Sequence, residues 1–161
     1  YLGGEAPDDC WFCGAPKNFI RDSEEFFPLW KTKLSSQEKK DMQETLNLEI
    51  NASAYYKNVE NRCEKYSKYN RLFKQLSRVE KEHVEIAIKF LDVKFPELIG
   101  EKTKGSCKKD LERTRELEEG AIKMYKRFLK NSTNSNVKNF YIALIHAEKG
   151  HFDISCEELK K

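Results

Sequence analysis

The sequence predicts an all-α protein, an antiparallel four-helix bundle preceded by a short irregular segment. Three observations predict it. Over most of the chain, apolar residues recur three and four apart, the period of a helix face. Gly, Pro and polar clusters interrupt that period at only a few points. One arrangement of glutamates and histidines occurs twice, which implies two helical hairpins.

A chain of 161 residues is long enough for one domain with its own core. Charged residues make up 35% and apolar residues 39%, and the net charge of +3 is too small to call for a nucleic-acid partner. No run of about 18 apolar residues occurs, so no membrane-spanning helix is expected. The chain begins at Tyr1 without a signal-peptide pattern, and further residues are expected upstream. Five cysteines, Cys10, Cys13, Cys63, Cys107 and Cys156, are an odd number in a helical chain. They argue against a disulfide framework and for a reducing, cytoplasmic setting.

Residues 1–20 carry Gly3, Gly4, Pro7, Gly14 and Pro16 and read as loop. Residues 21–34 form a connector whose Phe26, Phe27, Leu29 and Trp30 should dock on the rest; the main domain covers 35–161. Ser35-x-x-Glu38 is a capping box that opens the first helix, with Leu46, Glu49, Ala52, Tyr56, Val59 and Cys63 on one stripe. A second helix runs from about Tyr66 to Leu91, its apolar face read as Leu72, Leu76, Val79, Ala87 and Phe90. Phe95-Pro96, Gly100 and Gly105 mark a linker over 92–110. The third helix starts near Ser106 and aligns Leu111, Thr114, Leu117, Glu118, Ala121, Tyr125 and Phe128. After the polar turn 131–136, the fourth carries Tyr141, Leu144, Ala147, Glu148, His151 and Ser155.

Glu80-x-x-His83 on the second helix recurs as Glu148-x-x-His151 on the fourth, and Glu-x-x-Ala-x-x-x-Tyr occurs at Glu49–Tyr56 and Glu118–Tyr125. The offsets are 69 residues from Glu49 to Glu118 and 68 from Glu80 to Glu148. Residues three apart share a helix face, so each Glu-x-x-His can grip one metal ion. Four carboxylates pointing into a bundle are prohibitive without cations to neutralise them. One nitrogen and several oxygens per metal suit iron or manganese, although zinc could occupy such ligands, with the two ions about 3.5–4 Å apart. His146 lies on a different face and is expected at the surface.

Over about residues 36–160 these motifs resemble the rubrerythrin and ferritin-like di-iron family. The resemblance implies two irons held by Glu49, Glu80, His83, Glu118, Glu148 and His151, with Glu119 an alternative to Glu118. It also implies that Tyr56 and Tyr125 hydrogen-bond the carboxylates. Many rubrerythrins carry a further glutamate three residues after the third-helix ligand, where this chain has Ala121. The stretch YLGGEAPDDCWFCGAPKNF resembles the latter half of a rubredoxin. Such an iron needs four thiolates, so Cys10 and Cys13 would need a second pair, expected upstream of Tyr1, to hold one Fe or Zn. The module would then precede the bundle, the reverse of the order in the best-known rubrerythrins.

The resemblance implies a peroxidase that reduces hydrogen peroxide to water, fed with electrons by a reductase through the rubredoxin-type iron. The alternatives are a ferroxidase or oxygen reductase that handles iron, and an interaction module with a structural metal. The long linker suggests a homodimer or larger assembly.

Overall fold

A computed structural model of the protein describes residues 27–65 and 67–161, together with Pro7, Asp8, Lys17, Ile20 and Asp22. Cys10, Cys13 and Phe26 lie outside the described residues. Four helices follow one another: α1 (Ser36–Arg62), α2 (Lys68–Leu91), α3 (Cys107–Asn131) and α4 (Ser135–Leu159).

Each helix begins where a short polar side chain can accept from the otherwise unpaired first-turn amides. Ser35 accepts from the Glu38 amide while Glu38 accepts from the Ser35 amide, so the expected capping box is formed. Ser67, Ser106 and Asn134 cap α2, α3 and α4. Asp92 turns left-handed, with φ 53°, and ends α2. The linker is shorter than expected, 92–106, because the Ser106 cap starts α3 at Cys107. The stripe on α2 also differs: Phe73 and Ser77 are buried beside Leu76, Ala87 and Phe90, whereas Leu72 and Val79 are only half-buried at the edge of the face.

Cross-helix contacts set the directions. Ser53 and Ser77 exchange reciprocal hydrogen bonds of 3.0 and 2.9 Å, and Asn70 donates to the Glu60 carbonyl, so α1 and α2 run antiparallel. Glu38 meets Ser132 at one end while Arg62 meets Asp110 at the other, so α1 and α3 are antiparallel as well. Phe90 packs on Phe140, and Lys68 pairs with Glu158, which makes α2 and α4 antiparallel. The segment between α2 and α3 must therefore travel the length of the bundle. A 24-residue helix is about 36 Å long, and the residues 92–106 can span it only if largely extended. This crossover lies on α1. Glu101 accepts from Asn58 through its carbonyl and donates its amide to Asn51 Oδ1 at 3.0 Å. A Cβ on Gly100 would come within 2.6 Å of the Tyr55 backbone nitrogen, so glycine is what lets the crossover seat there.

The internal repeat reaches further than the motifs. Asp41, Thr45, Glu49, Ala52 and Tyr56 on α1 correspond, 69 residues on, to Asp110, Thr114, Glu118, Ala121 and Tyr125 on α3, and all ten are buried. Both threonines donate to the carbonyl four residues back, at 2.9 Å in each case. Two apolar clusters flank the polar middle: Met42, Leu46, Val84, Phe90, Phe128 and Phe140 on one side, Tyr55, Val59, Phe73, Leu76 and Leu111 on the other. Leu29 and Trp30 of the connector pack against the first cluster, as expected, while Phe27 stays 61% exposed.

Candidate metal centre

Six side chains from the four helices meet between those clusters: Glu49 from α1, Glu80 and His83 from α2, Glu118 from α3, and Glu148 and His151 from α4. All six are buried. The register of α3 points Glu118 inward and Glu119 out, where Glu119 pairs with Lys123 at 2.7 Å. His146 is exposed. Ala121 belongs to the apolar packing.

The six form two overlapping groups, each with potential ligand atoms within 4.8 Å of one another: Glu49, Glu80, His83 and Glu148, and Glu80, Glu118, Glu148 and His151. Glu80 and Glu148 belong to both. Each Glu-x-x-His closes on itself, His83 Nδ1 lying 2.8 Å from Glu80 Oε2 and His151 Nδ1 3.0 Å from Glu148 Oε2. The imidazoles also reach across, His83 Nδ1 to Glu148 Oε1 at 3.4 Å and His151 Nδ1 to Glu80 Oε1 at 2.9 Å. Tyr56 Oη donates to Glu118 Oε1, and Tyr125 Oη donates to Glu49 Oε1. Each tyrosine thus serves the carboxylate of the other hairpin.

The electrostatics are those of a buried site crowded with carboxylates. Burial, then the carboxylates of Glu148 and Glu80, push the Glu118 carboxyl well above its usual range. Burial, countered in part by His83, also raises Glu49. Burial disfavours charge on the imidazoles, but Glu49 and Glu80 raise His83 and Glu80 raises His151 well above the ordinary histidine value. Burial raises Tyr56 and Tyr125 too, reinforced by Glu118 and Glu49 respectively, so both keep their protons.

Among the described residues, Glu49 Oε2, Glu80 Oε1 and Glu148 Oε1 are buried without a hydrogen-bond donor. Glu80 Oε1 does lie near His151 Nδ1, but one N–H cannot serve both it and Glu148 Oε2. Buried carboxylate oxygens left unpaired are costly. Two divalent cations would satisfy such oxygens, and the donor set, oxygen-rich with one imidazole per group, fits iron.

The family model described as Rubrerythrin matches residues 42–157. The chain belongs to the rubrerythrin family. The match spans all six clustered residues and both tyrosines, so in this rubrerythrin the buried cluster fits a di-iron site. Cys10 and Cys13 fall outside the matched span. Searches of curated proteins and of solved structures returned no match.

On the turns beyond the centre, sequence reasoning placed Thr114 on the inner stripe but missed Asp41, Thr45 and Asp110. The signal was present as polar residues at i−4 and i−8 from Glu49 and Glu118, in step with the repeat. The two aspartates are not equivalent. Asp110 accepts from Tyr55 Oη at 2.8 Å, from the Lys104 amide and from Arg62. Asp41 accepts from Gln37, and its Oδ2 is unpaired. The counterpart of Tyr55 on α3 is Met124, which has no proton to donate.

Proposed function

We propose that this rubrerythrin is a non-haem di-iron peroxidase that reduces hydrogen peroxide to water. The observation that carries the reading is the convergence of two Glu-x-x-His pairs and two further glutamates, all buried, with three carboxylate oxygens unpaired. Two irons held there would supply the two electrons a peroxide needs. Glu49 and His83 would hold one, Glu118 and His151 the other, with Glu80 and Glu148 shared. Tyr56 and Tyr125 hold protons at Oη against Glu118 and Glu49 and orient those carboxylates. The flanking apolar clusters keep bulk water away from the carboxylates.

The peroxidase choice over ferroxidase rests on the Cys10-x-x-Cys13 segment, which reads as half of a rubredoxin-type site. Such a site would hold one iron or zinc and needs two thiolates besides Cys10 and Cys13. Electrons would pass through that iron from a reductase in the cytoplasm. A homodimer or larger assembly suits such transfer, and Val93, Phe95 and Ile99 on the crossover expose apolar surface that a second subunit would cover. No helix among the described residues is long and apolar enough to cross a membrane.

The deciding experiment mixes reduced, iron-loaded protein anaerobically with hydrogen peroxide and, separately, with oxygen, following the near-ultraviolet absorbance of the ferric product. Oxidation at least tenfold faster with peroxide is expected. Faster oxidation by oxygen would assign the protein to iron handling. No oxidation by either, in protein shown to hold two irons, would leave a structural metal.

A further inference from the structure

Where α1 ends and α3 begins, two thiols face each other. Cys63 caps the C-terminus of α1 and is buried, and Cys107, the first residue of α3, is half-buried. Their sulfurs are 3.7 Å apart. The Arg62 guanidinium stands 3.9 Å from Cys107 Sγ and is anchored on Asp110, within the first turns of α3.

The internal repeat gives this pair a counterpart at the other end of the bundle. At the 69-residue offset, Cys63 corresponds to Ser132, the C-cap of α3, and Cys107 corresponds to Glu38 of α1. There Ser132 Oγ donates to Glu38 Oε1 at 2.7 Å, and the Thr133 and Asn134 amides add bonds of 3.1 and 3.0 Å to the same oxygen. That latch ties the end of α3 to the start of α1. At the thiol end, the same two positions share only a weak sulfur hydrogen bond. A covalent bond between them would close the second latch.

We propose that Cys63 and Cys107 form a reversible intramolecular disulfide, a redox modification site that staples the end of α1 to the start of α3. The sulfurs have to close only from 3.7 Å to a bond of about 2.05 Å. The oxidant is hydrogen peroxide. Cys107 is the attacking sulfur, because it is the more exposed and because negative charge on it meets both a helix N-terminus and Arg62. Its thiolate attacks the peroxide: an S–O bond forms, the O–O bond breaks, and the departing hydroxide takes up the proton that the Cys107 thiol released, giving one water and a sulfenic acid. Cys63 sulfur then displaces the hydroxyl. The S–S bond forms, the S–O bond breaks, and the hydroxyl takes the Cys63 proton and leaves as the second water. Two thiols lose two electrons and two protons in all, and the peroxide gains them. Burial, then the hydrogen bond with Cys107, pushes the Cys63 thiol up to about 11, so Cys63 is not the sulfur that meets peroxide first. None of this depends on the metal centre.

The test uses the full chain. Reduced protein is exposed to graded hydrogen peroxide, and in parallel to mixtures of reduced and oxidised dithiothreitol that bypass peroxide. Each sample is quenched with N-ethylmaleimide and mapped by peptide mass. The expected product is a Cys63–Cys107 cross-linked peptide. The two residues should lose alkylation together while Cys156 keeps it, and excess dithiothreitol should restore both. The melting temperature should rise by about 5–10 °C on oxidation. In C107S, Cys63 should remain alkylatable, after denaturation, at peroxide doses that oxidise the wild type. The proposal is overturned if Cys63 joins Cys10, Cys13, Cys156 or a second molecule instead. It is equally overturned if Cys107 over-oxidises while Cys63 stays free, or if both stay reduced in oxidised dithiothreitol.

Discussion

Glu118 and Glu119 are adjacent in the chain, yet only Glu118 shares the buried cluster, and Glu119 sits in water beside Lys123. Their substitutions should separate cleanly. E118Q removes a charged ligand and should drop bound iron from two per chain to one or fewer, whereas E119Q should leave two, read by elemental analysis of chelator-washed protein. The sequence alone left this register open, because either residue satisfies a Glu-x-x-Ala or Glu-x-Ala spacing on a helix of about 3.6 residues per turn. The positions of Tyr56 and Tyr125 were legible four residues beyond Ala52 and Ala121, and the resemblance implied their hydrogen bonds to carboxylates. Their crossing onto the opposite hairpin's carboxylate was not, since it depends on how α1 and α3 pack. A second residue-scale expectation concerns Gly100. A methyl group there strikes the α1 backbone, and backbone cannot rotate away as a side chain can. G100A should cost about 1–3 kcal/mol in denaturant unfolding.

At the scale of elements, Glu38 joins two segments: it completes the cap of α1 and receives Ser132, Thr133 and Asn134 from the α3–α4 turn. Burial alone would raise its pKa, but the hydrogen bonds from Ser132, Ser35 and Asn134 outweigh it and lower the carboxyl from 4.5 to about 2. A depressed carboxylate contributes stability that is fully present above its unfolded value and lost as the pH falls through its folded one. The contribution of Glu38 should therefore stand at neutral pH and fade between about pH 4.5 and 2. E38A should be about 2–3 kcal/mol less stable than wild type at pH 7. The gap, followed by urea unfolding at several pH values, should close as acid protonates the wild-type carboxyl. The capping box was readable as Ser35-x-x-Glu38. The second set of donors was not, because Ser132–Asn134 lie far along the chain and reach Glu38 only through the antiparallel pairing of α1 with α3.

For the whole molecule, the centre places four carboxylates and two imidazoles in one buried interior. Such a site destabilises the metal-free bundle and couples metal binding to folding. Iron at about a thousand times its dissociation constant should add about 4 kcal/mol, which raises the melting temperature of a domain this size by about 10 °C. Scanning calorimetry of iron-loaded and chelator-treated protein should show that rise and its reversal. A chain whose melting temperature ignores iron would not hold its metal at this cluster.

The sequence by itself determined the helical class, the two-hairpin repeat and five of the six residues that meet at the centre, Glu49, Glu80, His83, Glu148 and His151. These follow from local periodicity and from a repeat whose two copies share an offset, and both survive in one dimension. Only the tertiary structure decided which neighbour of the Glu118–Glu119 pair turns inward, that the crossover lies along α1 over Gly100, and that the two ends of the bundle are closed by different chemistry. Those outcomes depend on which residues distant in sequence come into contact. The antiparallel packing of α1 against α3 sets that contact, bringing Ser132 to Glu38 at one end and Cys63 to Cys107 at the other.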